Sequence, residues 1–320
     1  MTGSAARDAA VKGFPAEGWA HTVDGMNRAA STGSDLVRQI AVISAVVFMI
    51  IAAMVGTGFF GGTNVRDLQG GALDADATVL APGRPAFSIW SVVYLLMIAY
   101  TIWQALPAQR GRDRQRRAGW WIALTAVLNG CWLLAAQFLG LLMTVLAIVV
   151  LLVALAATYR LLVLVPAEGW TDRILMDVTV GIHLGWVSLA TVANVTAWLA
   201  ADVVPEVDMR TQVVWGVIVL VVVALVGLGI AFGTRGAHVV TRLAPALAMA
   251  WGLVWIGVAR LTGEPHTLAV AVTAFVVAAL IVAAPLVPAR AAAPPPCAEF
   301  APTRRLRTFR RRPAECAEAR

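Results

Sequence analysis

Gly181-Ile-His-Leu-Gly-Trp-Val-Ser-Leu-Ala-Thr-Val-Ala-Asn-Val-Thr-Ala-Trp198 lies inside a long apolar run, yet it carries His183, Trp186, Ser188, Asn194 and Trp198. On a helix, residues three and four apart share a face. His183, Trp186, Ala190 and Asn194 therefore form one stripe. An unpaired polar group in hydrocarbon costs several kcal/mol, roughly 2–7. The stripe is expected to face other helices or a cavity rather than lipid.

The rest of the chain agrees with a membrane setting. It is 60% hydrophobic and 13% charged over 320 residues. Soluble domains run at about 45–50% apolar and about 25% charged. Length alone would allow two soluble domains, but hydropathy overrides that prior. The expected fold class is all-α, a polytopic membrane bundle of about eight transmembrane helices. The apolar runs are Ile40–Phe60, Phe87–Leu106, Gly119–Phe138, Leu141–Val165, Ile174–Ala200, Val213–Phe232, Leu243–Leu261 and Leu268–Val287. The third and fourth are separated only by Leu139-Gly140, which reads as a tight hairpin or a bent long helix.

The connections are asymmetric in charge. The even-numbered ones carry Arg110 to Arg117, Arg173, and Arg235 with Arg242. The odd-numbered ones carry Asp67, Asp74 and Asp76, then Asp202, Glu206 and Asp208. The positive-inside rule then places both termini in the cytoplasm, and the plasma membrane of a bacterium is the expected location. Residues 1–37 read as a disordered tail without a signal-peptide core, and residues 289–320 as a basic disordered tail. The basic clusters are expected to fix topology and touch headgroups, with membrane lipids as partners. No folded soluble module for nucleic acid is visible, so no nucleic-acid partner is expected. Cys131, Cys297 and Cys316 form no CxxC and no disulfide framework. The connection from Gly61 to Ala86 reads as a lid or binding loop, with plain disorder as the rival. Its Asp74-Ala-Asp76 pair is too little for calcium.

Three helices carry similar decorations. The second has Phe87, Trp90, Tyr94 and Met97 at helical spacing; the third has Asn129 and Trp132; the fifth has His183, Trp186 and Asn194. Indole, phenol and carboxamide groups on facing helices suit a pocket for a bulky, flat, mostly apolar ligand. The competing reading is that tryptophans mark interfaces and asparagines bridge helices. That reading covers Trp103, Trp120, Trp121 and Trp215, which lie near span ends. His183 could ligate haem iron, although a hydrogen-bonded structural histidine is the commoner role. Asp177 is expected to pair with Arg173 one turn away, and Arg160 and Arg260 to snorkel from span ends. The last three helices are nearly free of buried polar residues and read as packing elements, with Trp251 and Trp255 on one face.

At these residues the sequence resembles the translocator protein family, also called the TspO/MBR or tryptophan-rich sensory protein family. That family's fifth helix reads Pro-Tyr-x-x-Trp-Val-x-x-Ala-x-x-x-Asn. Here Ile182-His183 replaces Pro-Tyr, and Trp186, Val187, Ala190 and Asn194 stay in step. The family's Asn-x-x-Trp is matched by Asn129 and Trp132, and its Trp-x-x-x-Leu-Tyr is approached by Trp90 to Tyr94, with Val93 before the tyrosine. Pro82 and Pro85 echo the family's Pro-rich approach to that helix, but its loop tryptophan is absent.

The resemblance implies a five-helix core over 38–200 with a three-helix extension over 201–288. It implies a pocket for porphyrins or other lipophilic ligands, with no obligatory cofactor and with a porphyrin or haem as the candidate ligand. By carry-over, Trp90, Tyr94, Asn129, Trp132, Trp186 and Asn194 line or support it, and His183 stands where the family has tyrosine. Family members have been proposed as sensors, transporters and porphyrin-modifying enzymes. A ligand-binding sensor or receptor is the leading expectation. Transport usually needs intramembrane charges or repeats, and an enzyme has no acid–base pair here beyond His183. Small-residue helix faces permit a homodimer without requiring one.

Overall fold

The computed structural model describes residues 32–60, 70–204 and 207–287. Residues 1–31 of the expected N-terminal tail, the whole of the expected C-terminal tail with Cys297 and Cys316, and the first part of the long connection lie outside the described residues. Among the described residues there is no strand, and eight helices are long and apolar enough to cross a membrane. They are α1 Gly33–Gly56, α2 Arg84–Ala105, α3 Asp113–Phe138, α4 Leu141–Leu164, α5 Trp170–Val203, α6 Met209–Gly233, α7 Val239–Thr262 and α8 Leu268–Leu286. The chain is an integral-membrane-type helical bundle.

The packing runs α1 to α3, α3 to α4, α4 to α5, α5 to α7, α7 to α8 and α8 to α6, with α2 lodged against α1 and α5. The α3–α4 connection is a tight hairpin. Gly140 takes φ +93, a value that favours glycine, and α4 turns back along α3. α5 and α7 approach closely. A Cβ on Gly185 would sit 2.2 Å from the Pro245 carbonyl oxygen, and one on Gly181 2.9 Å from the Ala244 methyl. Two missing side chains on α5 thus let α7 dock backbone to backbone.

Several helices begin earlier than their apolar runs because their charges are paired. α1 starts at Gly33 rather than near Ile40. Thr32 and Asp35 form a capping box, and Asp35 is buried. Arg116 donates to Asp35 through Nε at 2.8 Å and Nη2 at 2.7 Å, and Arg38 adds a contact at 3.2 Å. A carboxylate satisfied this fully lets a helix carry charge into the bundle.

Three expectations about charged residues are corrected. Asp177 does not pair with Arg173; it binds Arg114 and accepts a hydrogen bond from the Thr241 hydroxyl at 2.9 Å. The cause is a wide i→i+5 turn over Arg173–Val178, which takes residues four apart out of alignment. Arg173 instead lies over the Trp170 ring, 5.0 Å from its centroid. Arg260 does not snorkel. It is fully buried and donates to the carbonyls of Thr78 at 2.9 Å and Ala75 at 2.5 Å. The last helices do carry buried polar groups, since Thr241 and Arg242 are buried as well as Arg260. The Arg110 to Arg117 cluster is also partly spent inside the protein. Arg112 reaches Glu168, and Arg114 is buried against Asp172 and Asp177.

The described part of the long connection folds over the bundle. Asp74 accepts from Arg84 at 3.0 and 2.5 Å, and Val79, Leu80 and Ala81 are buried. α7 ties this segment down. Besides the Arg260 contacts, the Trp251 indole donates to the Ala86 carbonyl at 2.9 Å, and the Gly83 amide donates to the Trp255 carbonyl at 3.1 Å.

Candidate functional site

Beneath that segment, α2, α3 and α5 bring their aromatic residues together. Trp90 lies near the start of α2, half-buried, and Tyr94 follows one turn later on the same face. The Trp90 ring is stacked on Tyr94 at 5.6 Å and 19°, and on Trp132 of α3 at 5.6 Å and 22°. It meets His183 and Trp186 of α5 edge-on, at 6.0 and 6.1 Å. Phe87 closes the group with an edge contact to Trp186 at 5.9 Å. Trp90 is therefore a flat ring with near-parallel neighbours in Tyr94 and Trp132 and a wall of ring edges on α5.

The polar groups of the cluster divide into two sets. The Trp132 indole donates to Asn194 Oδ1 at 3.3 Å, while Asn194 Nδ2 donates to the Ala190 carbonyl at 2.8 Å. This fixes the Trp132 ring against α5. The second set has no hydrogen bond among the described residues: both carboxamide atoms of Asn129, His183 Nε2 and the Trp186 indole nitrogen. Asn129 is fully buried near the Tyr94 hydroxyl, but not in hydrogen-bonding geometry. Buried polar side chains are paired in the large majority of cases, so four such atoms within one aromatic cluster are unusual.

A small cavity of about 40 Å³ adjoins the cluster. Trp90, Trp132, Trp186 and Asn194 line it, together with Phe87, Leu189, Ala190 and Ala193. The folded connection covers it with Ala72, Leu73, Asp74, Thr78, Ala81 and Pro82. Tyr94, Asn129 and His183 do not line it; they lie behind the indoles. The seven residues singled out from sequence thus fall into four that border the cavity and three that back it. The helical stripes did not reveal the covering residues. Their signals were the length of the connection and its Gly70-Gly71 and Pro82-Gly83-Arg84-Pro85 turns.

A larger crevice of about 730 Å³ lies elsewhere, between α4 and α6, with α5 and α7 behind it. It has no signature in the sequence, since it arises from two helices that do not pack on each other. Among the described residues, no group of three or more His, Cys, Asp or Glu side chains could hold a metal ion.

A family model described as TSPO-like protein matches residues 38–287, a span that runs from α1 to α8 and holds every residue of the aromatic cluster. No curated protein and no solved structure matches the chain.

Proposed function

Because the chain belongs to the TSPO-like protein family, we propose that it is an integral membrane binding protein whose aromatic cluster takes a flat, mostly apolar small molecule. In this reading it acts as a sensor or regulator, with both termini in the cytoplasm. The observation that carries the reading is the position of Trp90, stacked at 5.6 Å on both Tyr94 and Trp132 and edged by Trp186. A site where one planar ring already has near-parallel aromatic neighbours suits another planar ring. The unpaired atoms of Asn129, His183 and Trp186 supply the few polar anchors such a ligand needs.

A tetrapyrrole does not fit the cavity as it stands. The space is about 40 Å³, whereas pockets for drug-sized ligands run at roughly 300–1,000 Å³. Binding a macrocycle therefore requires Trp90 to leave the stack and the covering segment to lift. The ligand would replace the ring that now fills the site.

The test is titration of the purified full-length protein with metal-free protoporphyrin, read by the shift of its visible absorption. Saturable binding that falls at least tenfold in Trp132→Ala and Trp186→Ala supports the reading. Equal binding by both variants would refute it.

One observation favours a second reading as a transporter. Arg114, Asp172 and Asp177 are buried between α3 and α5, and α5 departs from regular helix at Arg173–Val178. Buried charges beside irregular helix are features of transport sites. Concentration-dependent porphyrin uptake into proteoliposomes favours transport; binding without flux favours the sensor.

A further inference from the structure

The crevice between α4 and α6 has a volume of about 730 Å³, far more than the cavity beside the aromatic cluster. α4 packs on α3 and α5, and α6 on α7 and α8, so the two helices stand as separate walls. The crevice floor comes from Leu184, Ser188 and Thr191 of α5 and Met249 of α7. Outward-facing residues beside it are apolar: Val153, Val222, Val226 and Leu225 are all exposed. It therefore opens sideways onto the surface that meets lipid.

The hydroxyls that line it are already used. Ser188 donates to the Leu184 carbonyl at 2.8 Å, Thr191 to Val187 at 2.7 Å, Thr234 to Ile230 at 2.7 Å and Tyr159 to Thr241 at 2.8 Å. A hydroxyl spent on backbone offers little to a ligand, so the walls behave as apolar surface. Arg160 is the exception. It is exposed at the rim and makes no hydrogen bond or ion pair with the described residues. It lies at the end of the bundle where Arg114, Arg116 and Arg235 also collect.

Size and charge together select an occupant. The α4 wall runs from Leu152 to Leu164, about 18 Å at 1.5 Å per residue. That is close to one leaflet's share of a roughly 30 Å hydrocarbon core. We propose that the crevice is a binding site for an anionic phospholipid of the leaflet at the arginine-rich end. An acyl chain lies between α4 and α6, and the phosphate pairs with the Arg160 guanidinium. This goes beyond the aromatic site and shares no lining residue with it. The bilayer supplies the ligand laterally, so no channel through the bundle is needed. Arginine is suited to the phosphate because its planar fork donates two parallel hydrogen bonds.

Native mass spectrometry of the full-length protein in mild detergent tests this with phosphatidylglycerol and phosphatidylcholine of identical chains. The wild type should retain phosphatidylglycerol about fivefold better, as expected of one basic residue near a membrane surface. Arg160→Gln should bring phosphatidylglycerol down to the phosphatidylcholine level. Gly229→Leu should reduce retention of both lipids. A Cβ at Gly229 meets nothing within 4 Å, so that side chain can enter the crevice without disturbing the fold. Equal retention of the two lipids by the wild type would overturn the proposal. So would undiminished phosphatidylglycerol on Gly229→Leu, which would place the lipid on the outer surface.

Discussion

The Arg260 guanidinium, fully buried near the end of α7, donates to the Thr78 carbonyl at 2.9 Å. Thr78 borders the cavity beside Trp90 and Trp132. A helix beyond the first five therefore holds the cover of the aromatic site. Arg260→Met keeps the packing volume and removes the donors. A hydrogen bond to a charged group contributes roughly 1.5–3 kcal/mol, so local opening should become tenfold or more easier. Hydrogen exchange across residues 72–82 should accelerate by that factor while exchange in α3 and α4 stays unchanged.

Trp90 gives the sharpest test of the site. Trp→Ala changes in packed sites cost roughly 3–5 kcal/mol, so Trp90→Ala should unfold earlier in a denaturant series. Its binding should move the other way from that of its neighbours. If Trp90 occupies the ligand's place, removing it should leave protoporphyrin affinity equal or higher and speed association. A loss of affinity as large as that of Trp132→Ala would show that Trp90 is a wall and not a plug.

The sequence made some of this legible. The aromatic and amide positions could be read because helical spacing places residues three or four apart on one face, and Trp90, Trp132 and Trp186 do meet. The eight helices could be read because a bilayer demands long apolar runs. The charge partners could not. Asp177 and Arg114 lie on different helices, and their meeting depends on a wide turn at Arg173–Val178 that local periodicity does not report. Arg260 looked like a surface residue because its partners are backbone carbonyls, which any sequence could offer. The α4–α6 crevice depends on which helices fail to touch, and no local pattern encodes that.

The start of α6 offers a pH test. Asp208 caps it, accepting from the Thr211 amide at 3.0 Å and hydroxyl at 2.6 Å. Those hydrogen bonds hold its carboxyl below the usual carboxylate range. A depressed folded value means the cap stabilises α6 above the unfolded carboxylate's pKa and is lost as pH falls through the lower, folded value. The protection factor of the amides over residues 208–212, taken against the intrinsic rate at each pH, should thus fall in acid. Asp208→Ala should show the lower protection factor already at neutral pH and no further fall in acid.

The α5–α7 contact should be intolerant of a single methyl. Gly185→Ala places a Cβ 2.2 Å from the Pro245 carbonyl oxygen, a backbone atom that cannot swing aside. Overpacking of this kind costs roughly 1–3 kcal/mol. Gly229→Ala, also on a helix but facing open space, is the control and should be neutral or slightly stabilising. Thermal unfolding in one detergent compares them. Equal stability of the two variants would mean that α5 and α7 can separate without cost.

The Arg114 group tests whether buried charge here supports stability or something else. Arg114 donates to Asp172 at 2.8 Å and binds Asp177, and it also reaches the Val165 carbonyl at 2.8 Å. Removing the arginine alone, as Arg114→Met, strands two carboxylates inside the bundle. Breaking one partner of a buried pair costs roughly 3–5 kcal/mol, so this variant should be severely destabilised. The triple variant Arg114→Met, Asp172→Asn, Asp177→Asn removes the charges together. Buried ion pairs replaced as a set are often neutral for stability, so the triple variant should recover most of the loss. If it is stable yet loses proteoliposome uptake, the charges serve transport. If it is stable and binds protoporphyrin as the wild type does, they serve to fix the register of α3, α5 and α7, through the Thr241 contact to Asp177.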